Sequence, residues 1–183
     1  MRRMFDLILF ILTGVVTAAL GEFVYSVMLR GDWGNLLGSF VFNSLYLLGV
    51  YIFRQVLLRL VHHPLTVNLL YYFLLGGAGL MVEWFQIGNS PWGNPDASQV
   101  GMFAYWTAMV MAPLLFTRQA VDPARIRRAY SLYFAVFAAV ALGVGYAIPP
   151  GGWRYAAGVW LVVFGYFGMT VFWVQYLRHV NQR

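Results

Sequence analysis

Residues 69–94, "LLYYFLLGGAGLMVEWFQIGNSPWGN", decide how this chain is built. The apolar run at the start continues through Val82 and then meets Glu83, with Pro91, Trp92, Gly93 and Asn94 close behind. About 20 apolar residues in a helix cross the ~30 Å hydrocarbon core of a bilayer. The stretch therefore reads as a membrane span with an acid near one end, followed by a turn at the surface. Glu83 is the residue that such a span does not require.

The rest of the chain repeats this pattern. It is 61% hydrophobic and 10% charged over 183 residues, with a mean hydropathy of +0.69. Soluble domains run at about 45–50% apolar and roughly 25% charged residues, so the composition belongs to membrane proteins. Six apolar stretches are long enough to span: 5–29, 36–57, 66–87, 99–117, 129–148 and 154–177. Their short connections leave no room for a separate soluble domain. The expected fold is all-α, one transmembrane domain over 1–183, with six helices in three hairpins at about 5–57, 66–117 and 129–177. The first apolar run continues past Gly21 to Leu29, longer than a signal-peptide core, and reads as a retained span.

All twelve basic residues are arginines, and the six-span arrangement sorts them. Arg2, Arg3, Arg54, Arg59, Arg118, Arg125, Arg127, Arg128, Arg178 and Arg183 fall on one side, and only Arg30 and Arg154 on the other. Basic residues accumulate on the cytoplasmic side, which predicts an integral plasma membrane protein, bacterial inner membrane type, with both termini cytoplasmic. The net charge of +6 is thus a topology signal, and no nucleic-acid partner is expected. The loop "RQAVDPARIRR" can also meet anionic lipid headgroups.

Two hairpins share a plan. "GEFVYSVMLRGDWGN" at 21–35 and "VEWFQIGNSPWGN" at 82–94 each carry Glu followed by an aromatic, then an outer loop with Trp-Gly-Asn. The span after each runs inward to Arg-Gln, at 54–55 and 118–119. The third hairpin keeps Trp153 but has Tyr146 instead of an acid. Each unit holds two spans, so the copies enter the membrane in the same direction, as a parallel internal repeat. Small residues at Gly14/Ala18, Ala135/Ala139/Gly143 and in "GGAG" at 76–79 are expected to let helices pack closely. Pro113 should free a carbonyl and bend the fourth span.

The absence of cysteine excludes disulfides, thiolate catalysis and Cys-ligated zinc or iron–sulfur sites. The histidines, His62, His63 and His179, lie at the cytoplasmic edge, too far from the acids for a Ser–His–acid triad or for intramembrane haem ligation. Neither a Walker loop, a Rossmann fingerprint nor HExxH occurs, so no cofactor and no metal is expected.

Glu22 and Glu83 are the only glutamates. At 1.5 Å rise per residue, Glu22 lies about 12 Å and Glu83 about 6–7 Å below the outer surface. Carboxyls at such depth usually face a cavity or a partner. Apolar surroundings favour the protonated carboxyl, which is a hydrogen-bond donor and a possible acid. The structural alternative is that they pair with Arg30 and Arg154 and staple the hairpins together. Among 7 Trp, 12 Tyr and 15 Phe, Trp33, Trp92 and Trp153 fit an interfacial belt. Trp84, Tyr105 and Trp106 lie beside the acids, where they would line a ligand site. Asn43 and Ser44, within the second span, are expected to bond between helices.

Around Glu83-Trp84, Gly88 and Pro91-Trp92-Gly93 the chain resembles integral-membrane isoprenoid enzymes of the carotenoid hydratase and membrane terpene cyclase type, over about a dozen residues. The resemblance implies a membrane acid that protonates an alkene or epoxide, with aromatic faces stabilising the cation. It carries over to Glu83, and through the repeat to Glu22. The expectation is an outward-opening aromatic pocket for a hydrophobic isoprenoid- or lipid-like molecule. The alternatives are an accessory subunit packed against other membrane subunits, or the solute-binding subunit of a transporter.

Overall fold

A computed structural model describes residues 2–93, 99–117, 122–149 and 151–181, the side chains of Arg2 and Arg3 excepted. Its elements are α1 (Arg2–Glu22), α2 (Trp33–Leu60), α3 (Pro64–Val82), α4 (Gln99–Phe116), α5 (Ala124–Ala147) and α6 (Gly152–Asn181). The described residues contain no strand. All six helices are long and apolar enough to cross a membrane, as the composition predicts. Several extend beyond the expected spans: α5 begins at Ala124 and α6 continues to Asn181. Helical hydrogen bonding continues where the chain leaves the apolar stretch, so helix length exceeds span length.

Two helices do not stop where α-geometry ends. Phe23–Met28 extends α1 and Glu83–Ile87 extends α3, both as π-helical turns. Gly88, at a φ of 84°, then ends the second extension in the left-handed region that a side chain would strain. In the first hairpin Asp32 caps α2 by accepting a hydrogen bond from the Asn35 amide at 2.9 Å. The two Trp-Gly-Asn copies differ in detail. Trp33 is the first residue of α2, whereas Trp92 and Gly93 stand in a turn ahead of α4, and Asn94 lies outside the described residues, as do Arg118 and Gln119.

The helices pack in sequence as hairpins α1–α2, α3–α4 and α5–α6, with α4 at the centre against α1, α3 and α6. Of its spanning segment 61% is buried, against 22% for α2 and for α5. The shared plan of the first two hairpins therefore does not extend to equal positions in the bundle. Trp33, Trp92 and Trp153 are all exposed at one end, the tryptophan end, and Arg59 and Arg178 sit in the last turns of α2 and α6 at the other.

Glycines set the closest approaches to α4. A Cβ on Gly14 would stand 3.0 Å from the Met109 carbonyl oxygen, the group that Pro113 leaves without its helical partner. Gly76 lies against Thr107 and Phe103, and Gly79 against the indole of Trp106. The stripe Ala135/Ala139/Gly143 does not pack: all three are exposed. The face of α5 that meets the bundle instead carries Phe137, Ala141 and Gly145. Spacing alone registers both faces of a helix rich in small residues.

Candidate functional site

Each glutamate sits at the point where an α-helix gives way to a π-turn. Glu22 is the last residue of α1 and Glu83 the first of the second π-turn. Such turns alter the direction of the side chains around them and recur at functional sites.

In the first hairpin a side chain from α6 bonds to the backbone of α1. The Tyr166 hydroxyl accepts a hydrogen bond from the Gly21 amide at 2.8 Å and donates to the Thr17 carbonyl. Those two groups would otherwise bond to each other, one α-turn apart. Tyr166 thus grips the α1 backbone immediately before Glu22, and its ring leaves no room for a Cβ on Gly21.

The carboxyls reach α4 at consecutive residues. Glu22 Oε1 accepts from the Tyr105 hydroxyl at 3.0 Å, and Glu83 Oε1 accepts from the Trp106 indole N–H at 3.1 Å. The Tyr105 and Trp106 rings meet edge to face with centroids 5.6 Å apart. An aromatic pair therefore stands between the two acids.

Further polar side chains complete both ends. Ser26 Oγ donates to Glu22 Oε2 at 3.3 Å and accepts from the Asn35 side-chain nitrogen Nδ2 at 2.6 Å. Asn43 donates to the Tyr105 hydroxyl at 3.3 Å, an interhelical bond of the expected kind. Asn89 donates to Glu83 Oε2 at 2.8 Å, and Gln99 links the Asn89 carbonyl to the Trp84 indole. Trp84 thus stands apart from the acids, against Trp92 near the tryptophan end. Sequence reasoning passed over Ser26, Asn35, Asn89 and Gln99, because in loops and helix ends these residues look like ordinary caps and turn formers.

The donors differ in chemistry. An indole N–H can only donate, so Glu83 Oε1 must accept whatever the state of the carboxyl. Hydroxyls can reverse, so Glu22 can either accept from Tyr105 and Ser26 or carry a proton towards one of them. Neither acid is ion-paired with Arg30 or Arg154 among the described residues. Arg30 lies over the Tyr25 ring, 4.1 Å from its centroid, and bonds the Tyr25 hydroxyl. The stapling alternative therefore does not operate through these arginines.

Space is scarce. A crevice between α1 and α2 reaches Glu22 but encloses no volume. A cavity of about 10 Å³ among α4, α5 and α6 is lined by apolar groups such as Ala108, Leu115 and Phe172, at the lower limit for one water. Among the described residues no cluster of His, Cys, Asp and Glu fits a metal ion. His63 instead caps α3 by accepting from the Thr66 amide.

Comparison with known families, characterised proteins and solved structures finds no match to this chain.

Proposed function

We propose that the protein binds a hydrophobic isoprenoid- or lipid-like molecule at an intramembrane carboxyl site formed by Glu22 and Glu83, with Tyr105 and Trp106 as the aromatic surround. One observation carries the reading. Two acids at matching α-to-π junctions meet adjacent aromatics of the central helix, and among the described residues neither is paired with a cation. Each carboxyl is held by neutral donors of the protein, Tyr105 and Ser26 at Glu22 and Trp106 and Asn89 at Glu83, and an intramembrane carboxyl of this kind marks a functional site by default.

The same arrangement fits acid chemistry. Transfer of the Glu22 proton to one carbon of an alkene breaks O–H, forms C–H and leaves a carbocation facing aromatic rings. Loss of a proton from the cation back to the carboxylate closes the cycle. We assign the arginine-rich end to the cytoplasm of a bacterial inner membrane and the tryptophan end, with both acids, to the outer leaflet side.

The test is extraction. Protein purified from its native membranes into nanodiscs should release one hydrophobic species beyond bulk phospholipid, detected by mass spectrometry. That species should be lost or strongly depleted in Glu22→Gln and Glu83→Gln. Identical lipid content in all three preparations would sink the reading.

A further inference from the structure

The two acids are held by partners of opposite kinds. Among the described residues, every side chain bonded to Glu22 is a hydroxyl: Tyr105 at 3.0 Å, Ser26 at 3.3 Å, and Ser39. Both side chains bonded to Glu83 present an N–H, the Trp106 indole at 3.1 Å and the Asn89 amide at 2.8 Å. A hydroxyl has a hydrogen and lone pairs, so it can donate to a carboxylate or accept from a carboxylic acid. An indole N–H can only donate. Trp106 engages Oε1 of Glu83 and Asn89 engages Oε2, so both oxygens act as acceptors. That arrangement satisfies a carboxylate, and N–H donors on both oxygens stabilise the charge. Glu22 is instead ringed by groups that can reverse, so it takes up a proton without stranding any of its partners.

We infer that the pair holds one proton, that the proton resides on Glu22, and that Glu83 is a standing carboxylate. The acids bond to the adjacent residues Tyr105 and Trp106, whose ring centroids lie 5.6 Å apart. Two carboxyls so placed in an apolar bundle repel each other when both are charged. Among the described residues no arginine is ion-paired with either, so no cation offsets a second charge. A single proton removes the repulsion, and the chemistry of the partners decides which acid takes it. Glu83 is buried, so its charge depends on the two N–H donors. In the acid chemistry proposed above, Glu22 then gives and regains the proton, and Glu83 is the fixed counter-charge to a cation at the aromatic pair. These roles rest on that reading. The place of the proton does not, because the protein's own side chains set it.

The experiment is infrared difference spectroscopy on the full chain in nanodiscs at neutral pH, read at the C=O stretch of a protonated carboxyl. The wild type should show one such band. Glu22→Gln should abolish it and Glu83→Gln should leave it. A second set of variants keeps both acids and so does not depend on how the Gln variants fold. At least one of Ser26→Ala, Ser39→Ala and Tyr105→Phe, each of which removes a hydroxyl from Glu22, should shift the band, and Asn89→Ala should not. A band that survives Glu22→Gln and vanishes in Glu83→Gln reverses the assignment, with the Asn89 amide turned to accept from Glu83. Two bands, no band, or a band insensitive to both Gln variants overturns the single proton on Glu22. A shift in Asn89→Ala, or in none of the hydroxyl variants, overturns the argument from the partners. A proton on Glu22 in protein that releases no lipid species leaves this assignment standing and removes the bound-lipid reading alone.

Discussion

The Tyr166 hydroxyl bonds both the Gly21 amide and the Thr17 carbonyl, so a residue on α6 is tied to the α1 backbone just before Glu22. Tyr166 is fully buried, with its ring packed edge to face on Tyr105 and Phe137. The position of Glu22 is thus fixed from two helices, by Tyr166 behind it and Tyr105 in front.

Tyr166→Phe should cost about 1–3 kcal/mol, because it leaves a buried amide and carbonyl to find each other or remain unpaired. Unfolding by SDS titration in mixed micelles measures it. A result within experimental error of the wild type would mean that α1 closes its ladder unaided and that Tyr166 only packs.

Gly79→Ala should destabilise by about 1–3 kcal/mol through overpacking, since the added methyl meets the Trp106 indole that holds Glu83. Gly77, whose Cβ would meet nothing, is the matched control. The same unfolding titration should separate Gly79→Ala clearly from Gly77→Ala.

At Glu83 the isosteric amide and the apolar side chain should behave differently. Glu83→Gln keeps an acceptor for the Trp106 N–H, whereas Glu83→Leu leaves that buried donor unpaired, at about 1–3 kcal/mol. A stability order with Leu at or above Gln would show that the indole bond contributes nothing.

The arginines at the tryptophan end should be independent of the acids. Arg154→Gln should shift stability by no more than about 0.5 kcal/mol, Arg30→Gln by no more than the about 0.5–1 kcal/mol of its contact with the Tyr25 ring, and a double-mutant cycle of Arg154 with Glu22 should show coupling below about 0.5 kcal/mol. Larger coupling would restore the ion-pair account.

The chain has no cysteine, so single cysteines report orientation directly. With an impermeant maleimide on intact cells, Trp153→Cys should label from outside and His62→Cys only after permeabilisation. The reverse pattern would invert the orientation assigned from the arginines.

What could be read from the sequence followed from one strong physical demand. Runs of apolar residues long enough to cross a bilayer announce themselves, so all six helices were legible, and Glu22 and Glu83 stood out by contrast. The central place of α4 was not legible. In a lipid environment the outside of a bundle is as apolar as its inside, and periodicity in α4 distinguishes little. The π-turns were equally silent, because the same residues suit either helical form, and the bond from Tyr166 to Gly21 joins residues 145 positions apart. Trp84 shows the limit of neighbourhood in sequence: it follows Glu83 directly, yet the tertiary partner of that acid is Trp106.

A π-turn differs from the α-helix around it by one residue too many for its length. Beside each acid, then, the chain carries a residue of slack. Deleting one position within Phe23–Met28 need not shorten the span by a turn, since the helix can tighten to α-geometry and absorb the loss. Because the π-turn fits its extra residue into a single turn, that tightening keeps the helix faces on either side in phase, whereas the same deletion in an unbroken α-stretch would rotate one side by about 100° relative to the other. The two acids thus sit where the chain can lose a residue without turning either flank of its helix.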